Sequence, residues 1–503
     1  MERWHIVTLV ASGYLALALT VGLVAGRRAT HSVTGYVAAD RGFGLLAMYF
    51  VTGGTIFSAF AFLGGPGWAY SRGAAVFYIL GYGVLGIAPW YFIGPRSARL
   101  GRRHGFVTQA QLLTARFPSR TLSALMALLS VAAFVPYLML QMSGAGIVFN
   151  AVTEGHVPLW AGAALAYGVV VVYVLVGGAS AVGWTNVFEG LVMMVVAWGL
   201  GIWLPYSLYG GVGEMFAQLE AARPELLAPP GLDAAGEPWS RGAYASSLLA
   251  SAIGFAMWPH LFMKAFAARS EKVLRRTVVL FPTFQLFLIP LLLVGFAGVL
   301  FPTAPPEADF ILPHMILETG MPALVVGLFC AGALAASMST GDALLHGAAS
   351  VAIEDGIAPF VRLSERARRH LMQLLVLGVG ALAFYLAVVR RQSLVWLLLT
   401  AYGVVDQFAP PIYAALYWRR ATTAGVVSGL AAGIVTDVFF LRYPGLRPWD
   451  LHEGILGIIV NTAVLVVVSL LTRPQSHAHT EVFVNPAPLN ERTAGPVHAG
   501  GGA

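Results

Sequence analysis

Runs of about twenty apolar residues recur along this 503-residue chain, and that is the length an α-helix needs to cross the hydrocarbon core of a bilayer. Inside that core every backbone N–H and C=O must find its partner within the protein, which limits spanning structures to helices and closed barrels. The runs are near-continuous rather than alternating, so they read as helices. Thirteen are recognisable, centred near Tyr14, Phe57, Val84, Pro136, Gly168, Val195, Ile253, Leu288, Ala333, Ala381, Val404, Gly433 and Val460. The expected fold is an all-α polytopic membrane protein with about 13 transmembrane helices. Composition agrees: 11% of residues are charged, against about 25% in a soluble domain. A globular core with a single anchor is thereby excluded.

The net charge of +7 is the footprint of membrane topology rather than of nucleic-acid binding, because the basic residues sit in short loops between apolar runs. Glu2 and Arg3 nearly cancel before the first run, and Arg27 and Arg28 follow it. That order predicts a retained first helix with its N-terminus outside. The cytoplasmic loops then collect Arg41, the cluster from Arg96 to Arg120, Lys264 to Arg276, Arg362 to Arg369, and Arg419 with Arg420. An odd helix count leaves the C-terminus in the cytoplasm. The expected location is the cell membrane, multi-pass. The lone cysteine, Cys330, lies in an apolar run and is expected to pack as a small apolar residue.

Residues 1–475 read as a single transmembrane domain, and 476–503, rich in Pro, His and Gly, as a disordered cytoplasmic tail. Thr108–Phe117 reads as a short amphipathic cytoplasmic helix. Two helices carry breaking signals. The second contains Gly53-Gly54 and ends in Gly64-Gly65-Pro66-Gly67, and the seventh contains Gly254 and Trp258-Pro259-His260. They lie five helices apart, at matching places in two five-helix halves of about 42–210 and 244–441. Paired interrupted helices point to inverted repeats around a central binding site. Glycine-mediated packing with a proline kink would leave the same marks.

Residues 331–345 read AGALAASMSTGDALL, and Ala336, Ser339 and Thr340 fall on one helical face. A Ser or Thr hydroxyl turns back toward the carbonyl one turn earlier, so three neutral oxygens can share one spot. Hard oxygens without a carboxylate suit a weakly held monovalent cation, while close packing of small residues explains the same spacing. Among acidic residues, Asp342 and Asp437 are expected near solvated helix ends, and Glu189 at the cytoplasmic interface. Asp406, in AYGVVDQFAPP, is a pathway residue or a buried partner of a hydroxyl. Gln141 and Ser143 form the polar break in the fourth helix and could orient a substrate or bond to neighbouring helices. A phosphate-binding loop, an HExxH pair and a nucleophile elbow are all missing from the sequence, so nothing points to an enzyme or an ATP-driven pump.

Several segments together resemble the sodium/solute symporter family, which includes the proline, sodium/galactose, pantothenate and monocarboxylate permeases. They are SAFAFLGGPGWAYSRG at 58–73, GFVTQAQLLTARFPSR at 105–120, VYVLVGGASAVGWTNVFEG at 172–190, AASMST at 335–340 and ALYWRRATTAGVVSG at 415–429. The resemblance covers roughly residues 5–475 and implies a thirteen-helix bundle with two inverted five-helix repeats and broken helices at the centre. It also implies sodium as the coupling ion. The ligands would be the carbonyls of Gly54, Phe57 and Ala336 with the hydroxyls of Ser339 and Thr340. Two positions depart from relatives. Ile56 and Asn186 stand where many of them carry Asp, so a single coupling sodium is expected. Proton coupling through Glu189 or Asp406 stays open.

VPYLMLQMSGAGIVF at 135–149 and MWPHLFMKAFAARSEKVLRRT at 257–277 resemble the monocarboxylate permeases, and SAFAFLGGPGWAYSRG the pantothenate permeases. The implied cargo is a small organic acid carried inward with sodium by alternating access. Ser58, Phe60, Gln141, Ser143, Trp258 and Asp406 are the candidate substrate residues. Pantothenate, amino-acid or sugar symport and a membrane sensor that kept a transporter fold are the alternatives. The expected partners are the carboxylate, sodium and the bilayer, with no nucleic acid and no obligate protein partner.

Overall fold

A computed structural model describes residues 2–27, 32–389 and 394–486. The regular secondary structure of the described residues is helical, apart from isolated bridges such as Phe43 to Ala268. Nine helices among the described residues are long and apolar enough to cross a membrane, or ten when one bent pair is taken as a single span. The thirteen sequence runs exceed that count for physical reasons. Leu159–Tyr209 is one 51-residue element covering two runs. The runs near Val84 and Val404 are divided into shorter pieces, Tyr78–Ile87 with Trp90–His104 and Leu394–Asp406 with Ala409–Tyr417. Pro89 and Pro410 stand at those divisions, where a missing N–H interrupts the helical ladder.

The elements that build the site are α1 (Arg3–Gly26), α2 (Leu45–Ile56), α3 (Gly65–Arg72), α4 (Arg120–Val152), α5 (Leu159–Tyr209), α6 (Arg241–Phe255), α7 (Pro259–Ala267), α8 (Ala323–Val351), α9 (Leu394–Asp406), α10 (Thr423–Arg442), α11 (Glu453–Leu471) and α12 (His477–Val484). Helix α8 is the axis of the molecule. It is buried from Cys330 to Val351 and packs on α1, α4 and α5. Its alanines, glycines and serines let neighbouring backbones approach closely, which drives helix association where no hydrophobic effect operates. Large apolar side chains such as Leu9, Val195 and Leu471 are exposed on the perimeter, as a lipid-facing surface requires. Gly178 bends α5: its φ of +49° is a left-handed conformation, and a Cβ there would lie 2.5 Å from the Tyr36 carbonyl oxygen.

Both expected interruptions are present. Helix α2 stops at Ile56, Phe57 is extended (φ −86°, ψ 92°), and the chain resumes through a single π turn at Phe60–Gly64 before α3. The flanking helical segments meet at 60°. The glycine pair itself stays helical, so the break falls one turn later than Gly53-Gly54 suggests. Side chains of α4 hold it open. The Gln141 Oε1 accepts from the Ala59 N–H at 3.0 Å, and the Tyr137 hydroxyl donates to the Ile56 carbonyl at 3.3 Å. These bonds replace the helical partners that a broken ladder forfeits. The second break separates α6 from α7 at Ala256–Trp258, with Pro259 as the first residue of α7. There the Trp90 indole donates to the Ala256 carbonyl at 3.1 Å.

The amphipathic segment is a helix over Gln109–Arg116, capped by the Thr108 hydroxyl. The tail departs from expectation in its first residues. Ser476 caps α12, the Arg96 guanidinium donates to the Val484 carbonyl at 3.1 Å, and Arg419 pairs with Glu481 at 2.9 Å. Polar composition hid an amphipathic turn whose Thr480, Phe483 and Val484 are buried. Residues 487–503 of that tail lie outside the described residues.

Candidate cation and substrate site

The Ala336, Ser339 and Thr340 face of α8 lies directly against the broken end of α2. The Ser339 hydroxyl is 2.8 Å from the Gly54 carbonyl oxygen and 3.2 Å from that of Ala336, and the Thr340 hydroxyl is 3.2 Å from the Gly54 oxygen. The last backbone bond of α2 runs from the Phe57 N–H to the Gly53 carbonyl at 3.0 Å. Gly54 therefore points its oxygen past the end of the ladder, where it meets side chains instead. Four of the five sequence-derived cation ligands thus converge. Phe57, the fifth, forms the break itself. Its ring stacks on Phe281 and Phe284, which anchors the chain where it leaves α2. The donor set is neutral hard oxygen throughout, and all five residues are buried. That chemistry fits a monovalent cation and suits zinc or copper poorly.

One helical turn further along α8 lies Asp342, an acid expected near a solvated helix end. Asp342 is fully buried, not at a solvated end, because α8 is enclosed along this whole stretch. Its carboxylate accepts from the Tyr173 hydroxyl at 2.9 Å, the Thr185 hydroxyl at 3.1 Å and the Asn186 amide at 3.2 Å. Asn186 also accepts from the Thr55 hydroxyl at 3.1 Å, which ties this cluster to α2. Glu189 is likewise fully buried rather than interfacial, with the Tyr14 hydroxyl 3.5 Å from Oε1. Asp437 is 2% exposed, again not at a solvated end. A charge count along one helix cannot see the neighbouring helices that bury it.

The candidate substrate residues divide. Ser58, Phe60, Gln141 and Trp258 gather around the two breaks and are all buried. The Ser58 hydroxyl accepts from the Phe60 N–H at 3.2 Å. Gln141 Nε2 and Trp258 Nε1 are buried donors that meet no acceptor in hydrogen-bonding geometry among the described residues. Tyr137, which the sequence reading missed, joins the two breaks: its hydroxyl reaches Ile56 and its ring lies 5.0 Å from that of Trp258. Its place one turn before Gln141 on the same helix was the available signal. Ser143 sits apart, lining a cavity of about 440 Å³ with Asn150, Trp160, Glu307 and Asp309. Asp406 also stands apart, packed between α6 and α11.

The model of the "Sodium:solute symporter family" matches residues 36–433. An uncharacterized symporter of Bacillus subtilis, YhjB, is 30% identical over 93% of this chain and 98% of its own. The high-affinity proline transporter PutP of the same organism is 26% identical over 92% of this chain and 98% of its own. A monocarboxylate transport permease of Rhizobium johnstonii is 26% identical over 91% and 95%. The outward-open structure of a Na+-coupled sialic acid symporter superposes with a TM-score of 0.77 at 19% identity, covering 94% of this chain and 99% of that one. This likeness shows the shared fold. The chain belongs to the sodium:solute symporter family, a multi-pass membrane family whose coupling ion is sodium.

Proposed function

We propose that this family member carries a small organic acid of monocarboxylate type into the cell together with one sodium ion. The sodium would be held by the carbonyls of Gly54, Phe57 and Ala336 and the hydroxyls of Ser339 and Thr340. The observation that carries this reading is the meeting of both α8 hydroxyls with the Gly54 carbonyl at the α2 break. An ion bridging those groups ties the broken helix to the axial helix, so sodium occupancy favours whichever state brings them together. The orientation with the N-terminus outside follows from the distribution of Lys and Arg.

A carboxylate fits the unfilled donors at the centre. Among the described residues Gln141 Nε2 and Trp258 Nε1 meet no acceptor in hydrogen-bonding geometry, and an acidic substrate supplies acceptors. Leaving such donors buried and unpaired costs about 1–3 kcal/mol each, so a ligand that satisfies them gains binding energy. The single sodium follows from Ile56 and the neutral Asn186 beside the site. The test is sodium-dependent uptake of labelled monocarboxylates into proteoliposomes. Ser339→Ala with Thr340→Ala is expected to abolish the sodium stimulation while leaving expression intact. Sodium-stimulated uptake that survives the double change overturns the assignment. Competition by proline or sugars, but not by acids, overturns the substrate class.

A further inference from the structure

Asp406 on α9 is an acid without a compensating partner among the described residues. It is fully buried, and neither carboxyl oxygen meets a donor among the described residues. Its oxygens are pressed against helix backbones. A Cβ on Gly254 of α6 would fall 2.1 Å from Oδ1, and one on Gly454 of α11 would fall 2.5 Å from Oδ2. The two glycines therefore let α6 and α11 close on the carboxyl from both sides. The charged groups that act on Asp406 are acids, Asp437 and Glu453. Asp437 on α10 is buried with Oδ1 unpaired, and its oxygen would lie 2.5 Å from a Cβ on Gly403. Glu453 and His452 stand at the start of α11, and Tyr402 lies one turn before Asp406 on α9. Among the described residues Arg447 pairs with Glu453 at 2.8 Å and also offsets Asp437, but no cation acts on Asp406.

An isolated carboxylate in such surroundings carries a heavy desolvation penalty. A sodium ion does not fit, because it needs several oxygens around it and backbone already closes both sides. Among the described residues no group of three or more His, Cys, Asp or Glu is placed to hold a metal ion. A proton needs no such room. We propose that Asp406 is a proton-binding site, separate from the sodium site, that neutralises the seam where α6, just before its break, leans on α9 and α11. Exposure falls from Glu453 (5%) to Asp437 (2%) and Asp406 (0%). In this proposal the carboxyls of Glu453 and Asp437 pass the proton to Asp406, while Arg447, which keeps its own proton, only holds Glu453 in place. Moving Gly254 away admits water to the carboxyl and releases the proton, so the packing of α6 depends on pH.

Infrared spectroscopy of the full chain in lipid tests this. At neutral pH the wild type is expected to show a protonated-carboxyl band that shifts in D2O. Asp406→Asn, the neutral isostere, should fold normally and lose one carboxyl's share of that band. Hydrogen exchange of residues 250–258, corrected for intrinsic rates, should quicken from pH 6 to pH 9 in the wild type and stay level in the variant. A wild type without the band, an unchanged band in Asp406→Asn, a variant that does not fold, or equal pH dependence in both proteins each overturns the proposal.

Discussion

Ser339 and Thr340 both address one carbonyl, and that redundancy sets how they respond to substitution. Each hydroxyl has a single proton to donate, so Gly54 keeps a donor when either is removed. Ser339→Ala or Thr340→Ala alone is expected to lower stability in sodium-free buffer by about 1 kcal/mol or less. The double change leaves the carbonyl buried without a partner and should cost more than the sum of the two. A thermal-melting cycle over the four proteins checks this, and strict additivity contradicts it. Asp342 behaves differently, because Tyr173, Thr185 and Asn186 all donate to it. Asp342→Asn turns part of an acceptor into a donor facing donors, and should cost about 1–3 kcal/mol. Asn186→Asp sets two carboxylates together and should cost at least as much. Combining them restores one acid and one amide across the same gap, so the double variant should melt above both singles. The acid–amide pair was half legible in the sequence. Asn186 stood out by its difference from relatives, whereas Asp342 was hidden by a rule about helix ends that fails for a helix enclosed on all sides.

At the scale of elements, hydropathy located the spanning segments because a bilayer permits so few alternatives. Proline and glycine located both breaks within a turn. Their exact positions depended on Gln141 and Tyr137 reaching across from α4, and contacts between helices leave no periodic trace. The same limit applies to α12, whose polar composition read as tail. Its anchors are Arg96 in the helix Trp90–His104, Arg419 in a turn, and the Arg116 carbonyl, which lies 3.0 Å from His479 Nε2. Each exposed ion pair contributes little, about 1 kcal/mol at most. The burial of Thr480, Phe483 and Val484 contributes more. Truncation after Pro474 is therefore expected to lower the melting temperature by a few degrees, since about 1 kcal/mol shifts it by roughly 2–4 °C in larger domains. Arg419→Ala alone should change it little. A truncated chain that melts like the full one would show that α12 does not brace this end of the bundle.

For the whole molecule, symport requires that sodium and substrate share one conformational equilibrium. The geometry places the proposed ion ligands Gly54 and Phe57 beside Ser58 and Gln141 on the same break, so one movement serves both ligands. Their coupling must be reciprocal: whatever factor sodium adds to substrate affinity, substrate adds to sodium affinity. Sodium at a hundred times its Kd should stabilise the purified protein by about 2.7 kcal/mol. A true substrate should add more in sodium than in choline buffer, by a coupling of about 1–3 kcal/mol. Screening short monocarboxylates, pantothenate, proline and glucose by melting temperature, with each cation, identifies that substrate without a transport assay. Sodium affinity measured with and without the best compound must then change by the same factor. A compound that binds equally well in both buffers would be a ligand but not a coupled substrate, because equal affinity for two states shifts neither.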